Sequence, residues 1–281
     1  MSIPKKSERR DALWRQVEQR VSEARGGRIV FLTGAGISAP SGIPTFRGPE
    51  GYWTVGSRVY RPMELATMAA FREQPREVWR WYLHRKGVCN RAEPNAAHTA
   101  LAELEAVLGS RFTLITQNVD GLHLRAGNTL RRTFQIHGNT DYMRPLEGPP
   151  GTFPIPSGLP TIERDTPLDD ATWARLVTPD GRRARPHVLW FDEYYDEAHF
   201  KAESALAAAA AADLLVVVGT AGATNLPHQC VAEAVRRGVG LVDINPGANP
   251  FGELAARLPT GVSLREPAEE AVPRLVSLLK D

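Results

Sequence analysis

Four groups of residues in this chain have side chains and spacings that could do chemistry. The run Thr33-Gly-Ala-Gly-Ile-Ser-Ala-Pro-Ser-Gly-Ile-Pro-Thr-Phe-Arg-Gly48 comes directly after an apolar stretch. Gly34 and Gly36, around Ala35, let backbone N–H groups approach a pyrophosphate, and Ser38 opens a helix whose N-terminus favours anions. A bare Gly-x-Gly also occurs in turns that bind nothing, and the next strand brings no acidic residue at the ordinary dinucleotide spacing. Gln117, Asn118 and Asp120 come after a second apolar strand. Polar groups there either face a cleft or merely begin a loop. His137 stands just before Gly138. Imidazole titrates at about pH 6.5 and can take a hydroxyl proton, although an arbitrary histidine is more often a hydrogen-bonded core residue. Tyr82 and Arg85 sit at i, i+3 in the helical stretch Arg76–Lys86. A guanidinium fork grips a carboxylate bidentately and a phenol adds a hydrogen bond, although such a pair is also common on surface helices.

These groups need a scaffold, and the apolar pattern supplies one. Leu13, Val17, Val21 and Ala24 share one face of a helix over Glu8–Arg25, closed by Gly26 and Gly27. Continuous apolar runs at Arg28–Thr33, Phe112–Thr116, Val188–Phe191, Leu214–Gly219 and Gly240–Ile244 read as buried parallel strands. Helical stretches at Ala96–Leu108, Ala202–Ala212 and Pro227–Arg237 lie between several of them. The alternation predicts an α/β fold, a Rossmann-like parallel sheet with helices on both faces. Residues 1–48, 94–138 and 186–281 are assigned to that domain. Residues 49–93, with aromatics at helical spacing and no clear strand, and 139–185, with eight prolines and four glycines, form a smaller module from two insertions. A cleft between the two is where a ligand would bind, outside the carboxyl ends of the strands.

Composition limits the function classes. The 281 residues are 42% hydrophobic and 23% charged, with a net charge of +2. That excludes a disordered or fibrous chain and gives no basis for wrapping nucleic acid; the short Arg182-Arg-Ala-Arg185 run reads as a solvated or substrate-side loop. No apolar run approaches the roughly 20 residues of a membrane span, and the N-terminus has no apolar core of a secretory signal. Two cysteines, Cys89 and Cys230, make no disulfide framework, so a cytoplasmic setting is expected.

The whole glycine run resembles the cofactor loop of the sirtuins, NAD-dependent protein deacylases. In the same order come Thr116-Gln-Asn-Val-Asp120 with Gly121-Leu-His123, Ile136-His-Gly138, Arg185-Pro-His-Val-Leu-Trp-Phe191 and Val218-Gly-Thr220, and more loosely Ile244-Asn-Pro246. The resemblance runs from about Arg28 to the C-terminus, apart from 139–185. It implies a reaction in which the acyl-lysine oxygen attacks the ribose carbon that bears nicotinamide, nicotinamide leaves, and a histidine deprotonates a ribose hydroxyl that takes the acyl group. Water completes the reaction, releasing free lysine and O-acyl-ADP-ribose. By carry-over His137 is the base, Asn118 and Gln117 address the nicotinamide ribose, and Asp120 holds the carboxamide. Phe46 and Arg47 cover the cofactor, Asn245 contacts the adenosine ribose, and Gly219, Thr220 and Ala221 line the phosphate and adenine side. His98, His123 and His187 are taken as mainly structural. The expected partner is an acylated-lysine protein or peptide, docked along Val188, Trp190, Phe191 and Asp192. Tyr82 and Arg85 resemble the Tyr-x-x-Arg pair of the subgroup that prefers succinyl, malonyl and glutaryl lysine, with Gly51-Tyr-Trp53 and Glu93-Pro-Asn95 in agreement.

Three departures from the family pattern bear on function. Sirtuins of this kind carry a four-cysteine zinc site in the small module, yet 139–185 holds neither Cys nor His. No zinc is expected there, and Phe153, Ile155, Leu168 and Trp173 are the expected anchors of that segment. Asp192 replaces a glycine, so crowding and negative charge are expected beside the peptide. Ala221 replaces the serine of a Gly-Thr-Ser segment, and the Gly222–Asn225 stretch replaces its β-branched successors. The expected function is an NAD-dependent lysine deacylase for acidic or acetyl chains. The alternatives are an NAD glycohydrolase, an ADP-ribosyltransferase or a small-molecule deacylase, and, third, a non-catalytic NAD or ADP-ribose sensor.

Overall fold

The computed structural model describes residues 6–43, 53–55, 58–164 and 166–280. Its strands are β1 Ile29–Thr33, β2 Trp53–Val55, β3 Arg58–Tyr60, β4 Phe112–Thr116, β5 Thr133–Gln135, β6 Gly138–Pro145, β7 Phe153–Pro154, β8 Ala184–Val188, β9 Leu214–Val218, β10 Gly240–Ile244 and β11 Gly261–Leu264. Six of them form one all-parallel sheet in the order β11-β10-β9-β1-β4-β5. The apolar runs divide between its faces by alternation. Ile29 and Phe31 of β1 and Leu214, Val216 and Val218 of β9 join one core with helices Lys6–Glu23, Ala96–Leu108 and Ala268–Lys280. Val30, Leu32, Leu215 and Val217 join another, under Ala202–Ala210, Asn225–Arg236 and Pro250–Ala255. Each such side chain, fully buried, contributes about 1.5–3 kcal/mol, which is why runs of only five residues hold the sheet. The chain is thus the Rossmann-like α/β fold expected from its sequence. Its winding runs outward from β1 to β4 and β5, then returns across β1 to β9, β10 and β11, so the direction reverses between β1 and β9.

Apart from the two faces of the parallel sheet, a separate body of side chains, the second core, gathers Leu65, Phe71, Val78, Trp79, Tyr82, Met143, Leu176 and Trp190. Ile155 and Leu168 are buried within it, and Phe153 and Trp173 pack against it. Helix Pro75–Arg91 lies over an antiparallel sheet of order β7-β6-β8. Three expectations are corrected here. Val188–Phe191 is not a parallel strand: the strand is Ala184–Val188, antiparallel to β6 with Gly138 opposite Val188 and Arg144 opposite Arg185. An apolar run reports burial on both sides, not which sheet it joins; beyond Val188 the chain turns Trp190 into the second core. Segment 139–185 contains most of the eight-residue strand β6, which its prolines and glycines masked, and 49–93 carries the paired strands β2 and β3. The sheet edge β11 and helix Ala268–Lys280 were also unforeseen, although Val272, Leu275, Val276 and Leu279 carry helical spacing around Pro273.

Gly138 joins the two parts. It has φ +85°, and a Cβ there would overlap the carbonyl oxygen of His187. Only glycine lets β5 pass through His137 into β6 with β8 packed across it.

Candidate active site

Thr33 pairs in register with both Thr116 and Val218, so the carboxyl ends of β1, β4 and β9 lie side by side. The loops that leave these three strands therefore meet at one edge of the sheet. The glycine loop does so differently from the sequence expectation. The Gly34 N–H donates to the Val218 carbonyl (2.9 Å) and that of Gly36 to the Gly219 carbonyl (2.7 Å), so neither is turned to a pyrophosphate. Both glycines are needed for this approach: a Cβ on Gly34 would lie 2.7 Å from Thr220 Cβ, and one on Gly36 2.7 Å from Gly219 Cα. Ala35 opens a short 3₁₀ turn, Ala35–Ile37, and Ser38 joins it to a second, Ala39–Ser41, so no longer helix opens at Ser38. Phe46 and Arg47 lie outside the described residues.

Ser38 is instead the hub of a buried polar network. Its hydroxyl accepts from Asn118 Nδ2 (2.9 Å) and donates to Asp120 Oδ2 (2.7 Å). His98 Nδ1 accepts the Asn95 N–H (3.3 Å), which leaves Nε2–H to donate to Ser38 (3.3 Å). Asp120 Oδ1 takes the Leu122 N–H (2.9 Å). Burial raises the Asp120 carboxyl above its usual range and pushes His98 down to about 4, so this histidine is neutral in the network. The His123 ring lies 4.8 Å from that of His98, tilted by 58°, and bonds Thr33 Oγ1 at 3.1 Å, and burial holds it well below the usual range.

Gln117 bridges the loops after β4 and β9. Its Nε2 donates to Thr220 Oγ1 (2.9 Å) and to the Thr33 carbonyl (3.3 Å), and its Oε1 accepts from Thr224 Oγ1 (3.2 Å). Asn245, after β10, donates from Nδ2 to the Thr220 carbonyl (2.9 Å). Gly219 turns at φ +62° to start this loop, and Ala221 is exposed.

His137 comes after β5 and leans on the same place. Its Nδ1 is 3.0 Å from the Gln117 carbonyl, an acceptor only, so Nδ1 carries the proton and Nε2 the lone pair. Burial pushes the ring down to about 4, against the opposing effect of the Gln117 bond. At neutral pH the ring is therefore an uncharged base. The Tyr195 hydroxyl lies 2.8 Å from Nε2.

The acyl and peptide residues sit on the second core. Leu189 N–H donates to the His137 carbonyl (3.0 Å), and Trp190 Nε1 donates to the Tyr82 hydroxyl (2.9 Å), so base and Tyr82 hang on one short segment. Tyr82 is 3% exposed. Burial raises its phenol well above the ordinary value, so it keeps its proton. Arg85, one turn on, places its guanidinium 5.3 Å from the Trp81 ring centroid. Val188 and Trp190 are buried and Phe191 is exposed, with its N–H on the Ala66 carbonyl (2.9 Å). Asp192 corrects the sequence reading. Its carboxylate takes the N–H groups of Met68 (2.8 Å) and Ala69 (3.1 Å), capping helix Met68–Glu73. The charge expected beside a peptide is held by a helix terminus, where anions are stabilised.

Sequence reasoning missed Tyr195, Arg144 and Glu193, gave Thr224 no role of its own within Gly222–Asn225, and read Arg185 in a solvated or substrate-side run, whereas its side chain is 2% exposed against Glu193. Arg185 and Glu193 flank the expected substrate strand and could have been paired by that spacing. Tyr195 lies beyond every matched motif and carried no such mark. Among the described residues, no group of three or more His, Cys, Asp or Glu side chains could hold a metal ion.

Residues 34–225 match the model of the Sir2 family. The chain belongs to that family. A relative from Thermus thermophilus named NAD-dependent protein deacylase is 39% identical over 264 residues, 93% of each chain. A solved structure of a Sir2 homologue in complex with NAD is 33% identical with a TM-score of 0.74, over 94% of this chain and 93% of that one. Another, of Sir2 with a p53 peptide and NAD⁺, is 27% identical with a TM-score of 0.67, over 92% and 95%.

Proposed function

We propose that this protein is an NAD-dependent protein-lysine deacylase whose acyl site takes chains ending in a carboxylate. The observation that carries the reading is the meeting of an uncharged, tautomer-fixed His137 with Gln117, Asn118 and Asp120 at the carboxyl edge of the sheet. The amides of Gln117, Asn118 and Asn245 and the Asp120 carboxylate suit the hydroxyls and carboxamide of a nicotinamide dinucleotide, and the edge where they meet adjoins the reversal of winding. The same activity in the name of the Thermus thermophilus relative supports it.

Bound NAD supplies the ribose carbon that receives the acyl oxygen as nicotinamide departs, and the hydroxyl that then takes the acyl group. His137 takes the proton of that hydroxyl at Nε2 while the Gln117 carbonyl holds Nδ1–H and steadies the imidazolium. Asn118 and Asp120 are fixed in direction by Ser38, so they bind without first being ordered. Tyr82, a neutral donor, and Arg85, on the same helix, suit a distal carboxylate. Absence of Cys and His from 139–185 leaves no thiolate or imidazole set for a structural zinc in that segment, and no step needs one.

The test is incubation with NAD and acetyl-, succinyl- and glutaryl-lysine peptides, reading nicotinamide and bare peptide. A charge-assisted bond is worth about 1.5–3 kcal/mol, so Arg85→Met is expected to cut kcat/KM on succinyl peptide by about 10- to 100-fold and leave acetyl peptide within about threefold. No product from any peptide would refute the activity; equal effects of Arg85→Met on both chains would refute the acyl assignment. The Gly222–Asn225 departure favours a second reading, NAD cleavage with another acceptor, marked by nicotinamide release that needs no peptide.

A further inference from the structure

Hydrogen bonds hold the base on both sides. The Gln117 carbonyl receives His137 Nδ1–H (3.0 Å) and the Tyr195 hydroxyl meets His137 Nε2 (2.8 Å). The Thr224 hydroxyl gives its own proton to Gln117 Oε1 (3.2 Å). Because Nδ1 carries the imidazole proton, Nε2 can only accept, and the phenol is its donor. A neutral imidazole has one lone pair, and here Tyr195 fills it. The two rings are 5.8 Å apart and tilted by 33°, and the Tyr195 ring packs on the core beneath helices Ala202–Ala210 and Asn225–Arg236. Tyr195 also stands in the stretch between two anchored points. Asp192 is tied to helix Met68–Glu73 and Asp196 caps Glu197–Phe200 by taking the His199 N–H (2.6 Å). It comes just after the residues where the peptide is expected to dock.

We propose that Tyr195 is a latch on the base: its phenol holds the Nε2 lone pair of His137 and must swing off before a ribose hydroxyl can deliver its proton there. The inference rests on the reading of His137 as the base. In the step itself the hydroxyl proton passes to Nε2 and gives imidazolium, while Tyr195 keeps its own proton. Tyr195 is a positioning residue, acting through His137. Burial raises its phenol to about 12, so it remains the donor throughout the working range. A donor on Nε2 stabilises the uncharged ring, and losing it raises the basicity of His137.

The experiment compares Tyr195→Phe, Tyr195→Leu and His137→Ala in the full chain, with NAD and succinyl-lysine peptide. Tyr195→Phe is expected to raise kcat/KM near pH 8 by about fivefold, one net hydrogen bond, and to move the acid limb of the kcat/KM profile up by about half to one pH unit. The His137 ring, followed by NMR titration without substrate, is expected to shift in the same direction. Tyr195→Leu also removes the donor and is expected to shift both readouts with the same sign, which keeps the test available if Tyr195→Phe does not fold. A fall in kcat at every pH would overturn the latch in favour of a proton relay, and unchanged activity and titration would overturn it in favour of packing alone. His137→Ala separates the two readings. If it is inactive while Tyr195→Phe matches the parent, only the latch fails; if it keeps full turnover, the base assignment fails and the latch with it.

Discussion

Glu193→Gln tests what holds the substrate segment in place. The Glu193 carboxylate accepts from Arg185 Nη1 and Nη2 (the latter 2.8 Å), from Arg144 Nη2 (3.3 Å to each oxygen) and from the Trp190 N–H (2.9 Å). The Arg185 and Arg144 side chains are only 2% and 9% exposed, and Arg185 lies 3.4 Å from the Trp190 ring centroid. Burial first, then the charge of Arg185, pushes Arg144 down to about 10, a sign of how little water reaches the pair. Glutamine keeps the volume and can still take the Trp190 N–H, but it leaves two guanidiniums with no carboxylate in contact and only the charge of Asp196 acting on Arg144. Removing one partner of a buried ion pair costs about 3–5 kcal/mol. The long Arg144 contacts and the 18% exposure of Glu193 put this case at the lower end, about 3 kcal/mol. For a chain of this size that is a fall in Tm of about 6–12 °C by calorimetry. Adding Arg144→Leu removes the excess charge and is expected to restore at least about 1 kcal/mol. Since Trp190 is fixed by Glu193 and in turn bonds Tyr82, KM for peptide should rise while KM for NAD stays within about twofold. A Tm within about 2 °C of the parent, or additive losses in the double variant, would show that the cluster is solvated and the reasoning wrong.

Other parts of the fold give two further outcomes. Gly138→Ala should cost about 3 kcal/mol or more: about 1–2 from the left-handed backbone and the rest from overlap with the His187 carbonyl. Gly158→Ala, at φ +68° with nothing within 4 Å, should show the backbone part alone, and equal Tm losses in the two variants would contradict the overlap. Burial holds His98 and His137 at about 4, His187 at about 3 and His123 well below the usual range, against about 6.5 unfolded. The unfolded chain therefore binds more protons between about pH 6.5 and 4, and stability is lost as pH falls through that window, by up to about 1.4 kcal/mol per unit per histidine. Urea unfolding at pH 7 and pH 5 should differ by at least about 3 kcal/mol, and a flat result would mean these rings are hydrated.

Continuous apolar runs and helical spacing were enough to give four of the six strands of the parallel sheet, β1, β4, β9 and β10, and most of the helices that cover it, because burial and periodicity along the chain map directly onto strands and helix faces. Ordered motifs marked His137, Gln117, Asn118 and Asp120, since residue type and adjacency to a buried strand are local properties. Tertiary structure alone decided what each group touches. It gave the Gly34 and Gly36 N–H groups to the neighbouring loop, turned Asp192 onto a helix terminus and sent Val188 and Trp190 into the second core. It also set Tyr195 on His137 across 58 residues and Gln117 on Thr224 across 107. Hydrogen-bond partners far apart in the chain leave no periodic trace, because only the folded geometry, and the need to satisfy each buried polar atom, brings them together.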